Sequence, residues 1–258
     1  MKWDARRRVL SSFVVIVLTV AGAGSAAYAQ CGTFPGAPSY DVGGLPWSVA
    51  VGDLDGDLDV DLAVANDGGE GVSVLLNKGD GTFAAHVTYG VGDGPHAVVL
   101  GDLDGDLDVD LAVANYGDDN VSVLLNNGDG TFAADVTYGA GDGAVFVAVG
   151  DVDGDLDLDL AVANLDSDSV SVLLNHGDGT FAADVTFGAG NGPRSVAVGD
   201  VDGDLDVDLA VANLDSGDVS VLLNHGDGTF AANVTYGVGD GPHGVAAVSY
   251  THLTLPTN

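Results

Sequence analysis

Short apolar stretches alternate with Asp- and Gly-rich stretches along most of the chain, and this alternation repeats every 49 residues. The motif Gly-Asp-Leu/Val-Asp-Gly-Asp-Leu-Asp-x-Asp-Leu-Ala-Val-Ala-Asn begins at Gly52, Gly101, Gly150 and Gly199. A second motif, Gly-Thr-Phe, keeps the same spacing and begins at Gly32, Gly81, Gly130, Gly179 and Gly228. A fixed period of this length indicates a repeat architecture, in which each unit packs against the next one.

The apolar stretches within one period predict four short strands. In the first complete unit these are strand A at Ser48–Gly52, strand B at Leu62–Asn66, strand C at Val72–Asn77 and strand D at His86–Tyr89. Apolar residues fall on both faces of strands A and B, as in sheets that are covered on each side. The pattern therefore predicts an all-β fold: a partial β-propeller with four complete four-stranded blades and fragments of the flanking blades. The alternative is a β-solenoid, which prefers shorter coils.

Residues 1–29 have the features of a secretory signal peptide. A positive segment with Lys2 and Arg6-Arg7-Arg8 precedes an apolar stretch from about Val9 to Val20. Ala27-Tyr28-Ala29 then provides a cleavage site. Because the apolar stretch is shorter than the roughly 20 residues of a spanning helix, we expect export and no membrane span after cleavage.

The repeat region extends over residues 30–247. Residues 241–246 still follow the repeat, and the next Gly-Asp loop would begin at position 248. Residues 248–258 instead resemble nothing earlier in the chain. We therefore expect the repeat region to be truncated and the last segment to be non-native.

Acidic residues dominate the charge, and all of them except Glu70 are Asp. The formal net charge is −33, and removal of residues 1–29 takes one of 39 acidic and four of 6 basic residues, leaving 38 against 2, or −36. Self-repulsion at this charge destabilises a compact state unless bound cations neutralise it. Nucleic acid is not expected as a partner, because nothing basic offsets the phosphates. The single Cys31 leaves no internal disulfide.

The Asp-rich loop of each unit has the spacing of a hard-cation site. In the first loop, Asp53, Asp55 and Asp57 stand at positions 1, 3 and 5 around a tight turn that Gly56 permits. A backbone carbonyl at position 7 and Asp61 at position 9 would complete the six to eight oxygens that Ca²⁺ prefers. Mg²⁺ resists such dehydration, and the loop has no recurring His or Cys for zinc. A metal-free Asp/Gly turn is the alternative, but five acids in nine residues would repel one another strongly.

These loops resemble the D-x-D-G-D-x-x-x-D-L signature of FG-GAP/VCBS repeats, known from integrin α-subunit propellers and secreted bacterial proteins. The phrases Val-Ser-Val-Leu-Leu-Asn and Asn-x-Gly-Asp-Gly-Thr-Phe are similar to those of bacterial members, and the match covers residues 32–246. The resemblance implies Ca²⁺ ligands from the side chains of Asp53, Asp55, Asp57, Asp61, Asp102, Asp104, Asp106, Asp110, Asp151, Asp153, Asp155, Asp159, Asp200, Asp202, Asp204 and Asp208. It implies backbone oxygen ligands from Asp59, Asp108, Asp157 and Asp206.

One loop position departs from the pattern of that family. The family commonly has Gly at position 6, where the backbone φ is often positive. This chain has a leucine there in every loop: Leu58, Leu107, Leu156 and Leu205. A leucine at positive φ is strained by about 1 kcal/mol or more, so we expect either a different bend or a modest calcium affinity.

The differences between units concentrate away from the Asp loops. In an A-B-C-D meander, the A–B and C–D connections lie on one face of the ring and the B–C and D–A connections on the other. Equivalent D–A positions hold Trp47, His96, Val145, Arg194 and His243. The B–C loops are Asp67–Gly71, Tyr116–Asn120, Leu165–Ser169 and Leu214–Asp218. We hypothesise that calcium stabilises one face while the other binds a protein or carbohydrate; alternatively, these differences are neutral.

Near-identical repeated sites suit a scaffold, whereas a catalytic site is normally unique. We assign no catalytic residue and expect no enzyme activity. The expected function is that of a secreted or cell-surface calcium-binding module that acts in binding or adhesion or as a surface scaffold. Two alternatives stay open: an accessory propeller of a larger secreted enzyme, such as a polysaccharide-degrading one, and a structural surface component without a discrete ligand.

Overall fold

The computed structural model describes residues 38–68 and 71–247. These residues belong to the second of two compact units, Gly36–Asn258. The predicted signal peptide at residues 1–29 and the predicted non-native segment at residues 248–258 lie outside the described residues. Within residues 38–68 and 71–247, no helix is long and apolar enough to cross a membrane.

Four antiparallel sheets of four strands each make up the regular structure of the described residues. The first sheet contains β1 (Pro46–Gly52), β2 (Asp61–Asn66), β3 (Gly71–Leu75) and β4 (Val87–Tyr89). The second contains β5 (Pro95–Gly101), β6 (Asp110–Asn115), β7 (Asn120–Leu124) and β8 (Val136–Gly139). The third contains β9 (Ala144–Gly150), β10 (Asp159–Asn164), β11 (Ser169–Leu173) and β12 (Val185–Gly188). The fourth contains β13 (Pro193–Gly199), β14 (Asp208–Asn213), β15 (Asp218–Leu222) and β16 (Val234–Gly237).

Each strand pairs with the next one along the chain, so every sheet is a four-stranded meander. In the first unit the observed strands agree with the predicted strands to within two residues at each end. The prediction of an all-β, partial β-propeller fold with four four-stranded blades is therefore confirmed. We refer to the four sheets as blades 1 to 4.

The apolar cores lie between consecutive blades. The second strand of each blade, Asp-Leu-Ala-Val-Ala-Asn, is buried at all six positions. In blades 2 and 3 it is apolar on both faces because the neighbouring blades cover both faces of the sheet. Between blades 1 and 2, for example, Leu54 and Val74 of blade 1 share a core with Val98 and Phe132 of blade 2. Small Ala and Val side chains allow the sheets to approach closely.

Aromatic pairs join consecutive blades near their outer strands. The rings of Tyr89 in blade 1 and Phe132 in blade 2 meet edge to face, with centroids 5.2 Å apart. Equivalent pairs join blades 2 and 3 and blades 3 and 4. Tyr40, one period before Tyr89, packs in the same way against Phe83, with a centroid distance of 5.3 Å. The repeated Phe of the Gly-Thr-Phe motif is thus a packing anchor between blades.

Candidate functional site

The Asp loops connect the first strand of each blade to the second, and the aspartate at position 1 closes the turn. In blade 1, Asp53 Oδ1 accepts a hydrogen bond of 2.9 Å from the backbone N–H of Gly56, and Oδ2 accepts one of 2.9 Å from that of Leu58. The equivalent bonds recur in the other three loops at 2.7–3.2 Å. The loop is therefore held in one shape by its own first residue.

The aspartate at position 9 opens the second strand and is buried in all four blades. In blade 2, Asp110 Oδ2 accepts a bond of 2.7 Å from the N–H of Leu103, and Oδ1 accepts one of 2.7 Å from the N–H of Asn126. The same two bonds recur in the other blades at 2.7–2.9 Å. This carboxylate therefore ties the loop to the turn that follows the third strand.

Burial raises the pKa of the Asp110 carboxyl to about 6, and nearby acids add to the rise while the two backbone bonds oppose it. The pKa of Asp159 is raised to about 6 for the same reason. The protein therefore buries acidic groups without a positive partner, and a bound cation would favour their charged form.

Each loop brings three carboxylate oxygens within 4.8 Å of one another. In blade 1 these come from positions 1, 3 and 5, and in the other blades from positions 1, 3 and 9. The groups are Asp53, Asp55 and Asp57; Asp102, Asp104 and Asp110; Asp151, Asp153 and Asp159; and Asp200, Asp202 and Asp208. These all-oxygen sets suit a hard divalent cation and offer no nitrogen or sulfur for zinc.

The remaining predicted ligands lie in the same loops but outside these groups of three. At position 5, the side chains of Asp106, Asp155 and Asp204 accept hydrogen bonds of 2.9 Å from the N–H at position 7. At position 7, Asp157 lies against Gly177, where an added Cβ would come within 2.5 Å of its Oδ2. That glycine has a φ of +75°. Both this backbone conformation and the close approach of Asp157 favour a residue without a Cβ. Backbone coordination at position 7 stays a prediction.

The leucine at position 6 adopts the conformation that the family pattern implies. The φ angles are 74° at Leu58, 76° at Leu107, 79° at Leu156 and 81° at Leu205. All four side chains are exposed and gain no packing in return. A non-glycine residue in this region costs roughly 1–2 kcal/mol. The loop thus keeps the shape of a glycine-containing loop and stores strain at each copy.

Position 2 of the loop links neighbouring blades. Its side chain is buried in the first three loops, and its carbonyl accepts a hydrogen bond from an asparagine side chain of the next blade. The pairs are Asn126 with Leu54, Asn175 with Leu103, and Asn224 with Val152. The conformation of each of these three Asp loops is therefore coupled to the packing between neighbouring blades.

The opposite face carries a cluster that the periodicity did not reveal. The rings of Trp47 and His96 stack with centroids 4.6 Å apart, and those of His96 and Tyr116 stack at 4.9 Å. We call these three residues the aromatic cluster. Trp47 Nε1 donates a bond of 3.1 Å to Asp67 Oδ2, and Tyr116 Oη donates one of 3.0 Å to Asp166 Oδ2. Residues from D–A positions and B–C loops of three blades thus meet in one place.

The guanidinium carbon of Arg194 lies 5.7 Å from the centre of the Trp47 ring, which brings blade 4 to the aromatic cluster. Burial lowers the pKa of Arg194. The other two D–A positions do not contribute: Val145 is buried in the core between blades 3 and 4, and His243 is exposed outside the cluster. The predicted D–A positions are therefore only partly brought together.

Stacked four-stranded meanders with one acidic, cation-type loop per blade define a β-propeller repeat protein with several equivalent candidate metal sites. The family model for the FG-GAP-like repeat matches residues 53–113, 102–162, 151–211 and 200–250. The chain belongs to the FG-GAP-like repeat family.

Solved structures show the same fold at low sequence identity. A lectin from Agrocybe aegerita that recognises non-reducing terminal N-acetylglucosamine is 22% identical, with a TM-score of 0.50, over 72% of this chain and 50% of that chain. BBS1N in complex with ARL6DN, soaked with lead, is 15% identical, with a TM-score of 0.55, over 81% of this chain and 62% of that chain. This chain therefore spans less than two thirds of either protein. The comparison with curated proteins found no match.

Proposed function

We propose that the chain is an exported calcium-binding β-propeller module that acts in binding or adhesion. The observation that carries the proposal is the in-phase recurrence of four carboxylate groups, each with three oxygens within 4.8 Å, in a chain of charge −33. Uncompensated, such clusters destabilise the fold, whereas a divalent cation in each would offset their repulsion. Calcium fits better than magnesium because the loop offers many protein oxygens, whereas Mg²⁺ usually keeps several of its waters.

In this proposal the side chains at positions 1, 3, 5 and 9 and the carbonyl at position 7 hold the ion. The position 9 carboxylate can do so while keeping its backbone bonds. Each oxygen of Asp110, for example, accepts one hydrogen bond and has a second lone pair available. Calcium bound there would favour the charged carboxylate and hold the strained leucine at position 6 in place. Its role is structural, and we assign no catalysis to the chain.

Recognition belongs, in the same proposal, to the face opposite the Asp loops. The Asp loops are nearly identical in all four units, while the B–C loops and D–A positions differ. Aromatic and charged side chains gather there around Trp47, which is about half exposed. Such residues are typical of binding sites. A lectin is one of the proteins of similar fold. A saccharide is accordingly our first choice of ligand, and a protein is the second.

The test is calcium-dependent retention of the secreted chain on an array of immobilised neutral and acidic saccharides. We expect retention in CaCl₂, loss of retention in EGTA, and loss on exchange of the D–A segments that contain Trp47 and His96 for the segment that contains Val145. A matched exchange among the C–D turns, on the calcium face, should change nothing. Retention that is unaffected by the D–A exchange, or its absence throughout the array, would count against a saccharide-binding face.

A further inference from the structure

Arg194 is the only arginine in the described residues, and its charge has no acidic partner there. Among residues 38–68 and 71–247, the ion pair within 4.0 Å is that of His96 with Asp67, not one of Arg194. Nor does the Arg194 side chain make a hydrogen bond to any residue that the structure describes. It is half-buried, in a chain that has 39 acidic residues. A partly desolvated guanidinium without an acidic partner is well suited to receive an anion.

The carboxylates that contact the aromatic cluster are already engaged there. Asp67 accepts the indole N–H of Trp47 at 3.1 Å and lies 3.7 Å from Nε2 of His96. Asp166 accepts the hydroxyl of Tyr116. These contacts hold both acids at the aromatic rings rather than at the guanidinium. The five donors of Arg194 therefore stay available for a planar oxyanion, which a guanidinium binds with two parallel hydrogen bonds.

Trp47 supplies the apolar part of this site: the guanidinium lies over its ring, 5.7 Å from the centroid, and the rest of the indole is partly exposed. Its ring is fixed by the stacking with His96 and by the bond to Asp67, and about half of the residue (51%) is exposed. A rigid, exposed indole next to a charged group is a typical feature of a small-molecule site. The combination selects a ligand that carries an anionic group on a ring with an apolar face.

We propose that Arg194 and Trp47 form a binding site for a saccharide that ends in a uronic acid, with the carboxylate at Arg194 and the sugar ring against the part of the Trp47 indole that His96 and Arg194 leave exposed. This inference rests on the proposed binding function and names its ligand class. The overall charge of −33 limits the ligand to few charges, because a dense polyanion would be repelled by the rest of the surface. Free lone pairs on Asp67 and Asp166 are available to accept hydrogen bonds from sugar hydroxyls.

Trp47 itself reports on the site. The sequence has 2 tryptophans, and the other one, Trp3, lies in the predicted signal peptide. The experiment therefore titrates the secreted chain in CaCl₂ with a disaccharide that ends in glucuronate, and with its counterpart of the same linkage that ends in glucose, while Trp47 fluorescence is recorded. We expect a saturable change with the acidic sugar and at least tenfold weaker binding of the neutral one.

Arg194→Gln should lower the affinity for the acidic sugar at least tenfold. It should leave the weak binding of the neutral sugar unchanged. Arg194→Lys, which keeps the charge but loses the planar fork, should fall between the two. Lys78→Gln is the matched control, because it removes the other basic residue of the repeat region, in a turn on the calcium face. Melting curves of all variants exclude loss of the fold.

The outcomes separate this inference from the function on which it rests. Equal affinity for the acidic and neutral sugars, or an affinity that Arg194→Gln leaves unchanged, overturns the uronic acid site but keeps a saccharide-binding face. Absence of any binding, with a melting temperature that still rises in calcium, overturns the site and keeps the calcium-binding module. Absence of both effects contradicts the proposed function as well.

Discussion

The side-chain amide of Asn126 donates a hydrogen bond of 2.9 Å to the backbone carbonyl of Leu54, which lies 72 residues earlier in the Asp loop of the preceding blade. The donor and the acceptor belong to buried residues. Because Leu54 N–H bonds to Asp61, one residue of the loop is tied both to the candidate metal site and to the next blade. Order in the loop and packing between blades are therefore linked.

Removal of this amide should weaken the contact between the blades. Asn126→Ala leaves the Leu54 carbonyl buried without its donor, which costs about 1–3 kcal/mol of unfolding free energy. Asn77→Ala is the matched control, because Asn77 makes the same local bonds to Val60 and Gly79 and has no bond to an earlier loop among the described residues. Urea denaturation in CaCl₂ measures both. Equal losses of unfolding free energy in the two variants would show that the hydrogen bond between the blades contributes nothing to stability.

The strained leucines offer a stabilising substitution. Leu107 has a φ of 76° and an exposed side chain. Leu107→Gly should relieve about 1 kcal/mol of strain, partly offset by the greater freedom of glycine in the unfolded chain. Calcium affinity should rise with it. Leu107→Ala is the control, because it removes the side chain but keeps the Cβ that causes the strain. Titration calorimetry and melting curves would contradict the account if Ala and Gly behaved alike.

The metal-free protein should lose stability as the pH rises. The pKa of Asp110 and that of Asp159 are each about 6 in the folded chain, against about 3.9 for an unperturbed aspartate. The fold therefore binds these protons more tightly than the unfolded chain does. The stability they contribute is complete below about pH 3.9 and is lost as the pH rises through about 6, on the order of 2–3 kcal/mol for each group.

Denaturation of the metal-free chain at pH 4, 5, 6 and 7 measures this fall. Asp110→Asn removes one of the two groups and should flatten the profile. In CaCl₂ the fall should disappear, because the cation favours the charged carboxylates. A metal-free protein that becomes more stable between pH 4 and 7 would contradict the assignment of these buried acids.

The blades and their loops could be predicted because their signals are local. A strand such as Asp61–Asn66 and the loop before it are encoded by consecutive residues that recur every 49 positions. The local pattern leaves two alternatives open at Leu58, a different bend or a strained leucine, and the structure shows the strained one, with positive φ. The spacing alone, however, predicts Asp57 and Asp61 equally as side-chain ligands and does not show which of them is buried. The structure separates them, because Asp61 is buried at the start of a strand and Asp57 is exposed.

Contacts between blades carry no local signal. Asn126 stands in the repeated turn motif, but its partner Leu54 becomes visible only when two blades are packed together. The approach of Arg194 to Trp47 joins residues three full periods apart. Each residue differs from its counterparts in the other units, so periodicity marks the positions as variable without pairing them. Their meeting depends on how the four blades are arranged.

The central claim is that the Asp loops bind calcium and thereby stabilise the blades. The most direct measurement is the melting temperature of the secreted chain in EGTA and in increasing CaCl₂, with the stoichiometry taken from titration calorimetry. We predict a melting temperature that rises with calcium, because each site adds about 2.7 kcal/mol at a concentration 100 times its dissociation constant. We also predict four ions per chain, and three for the variant with Asp102→Asn and Asp104→Asn. A melting temperature that is the same in EGTA and in calcium would contradict the claim.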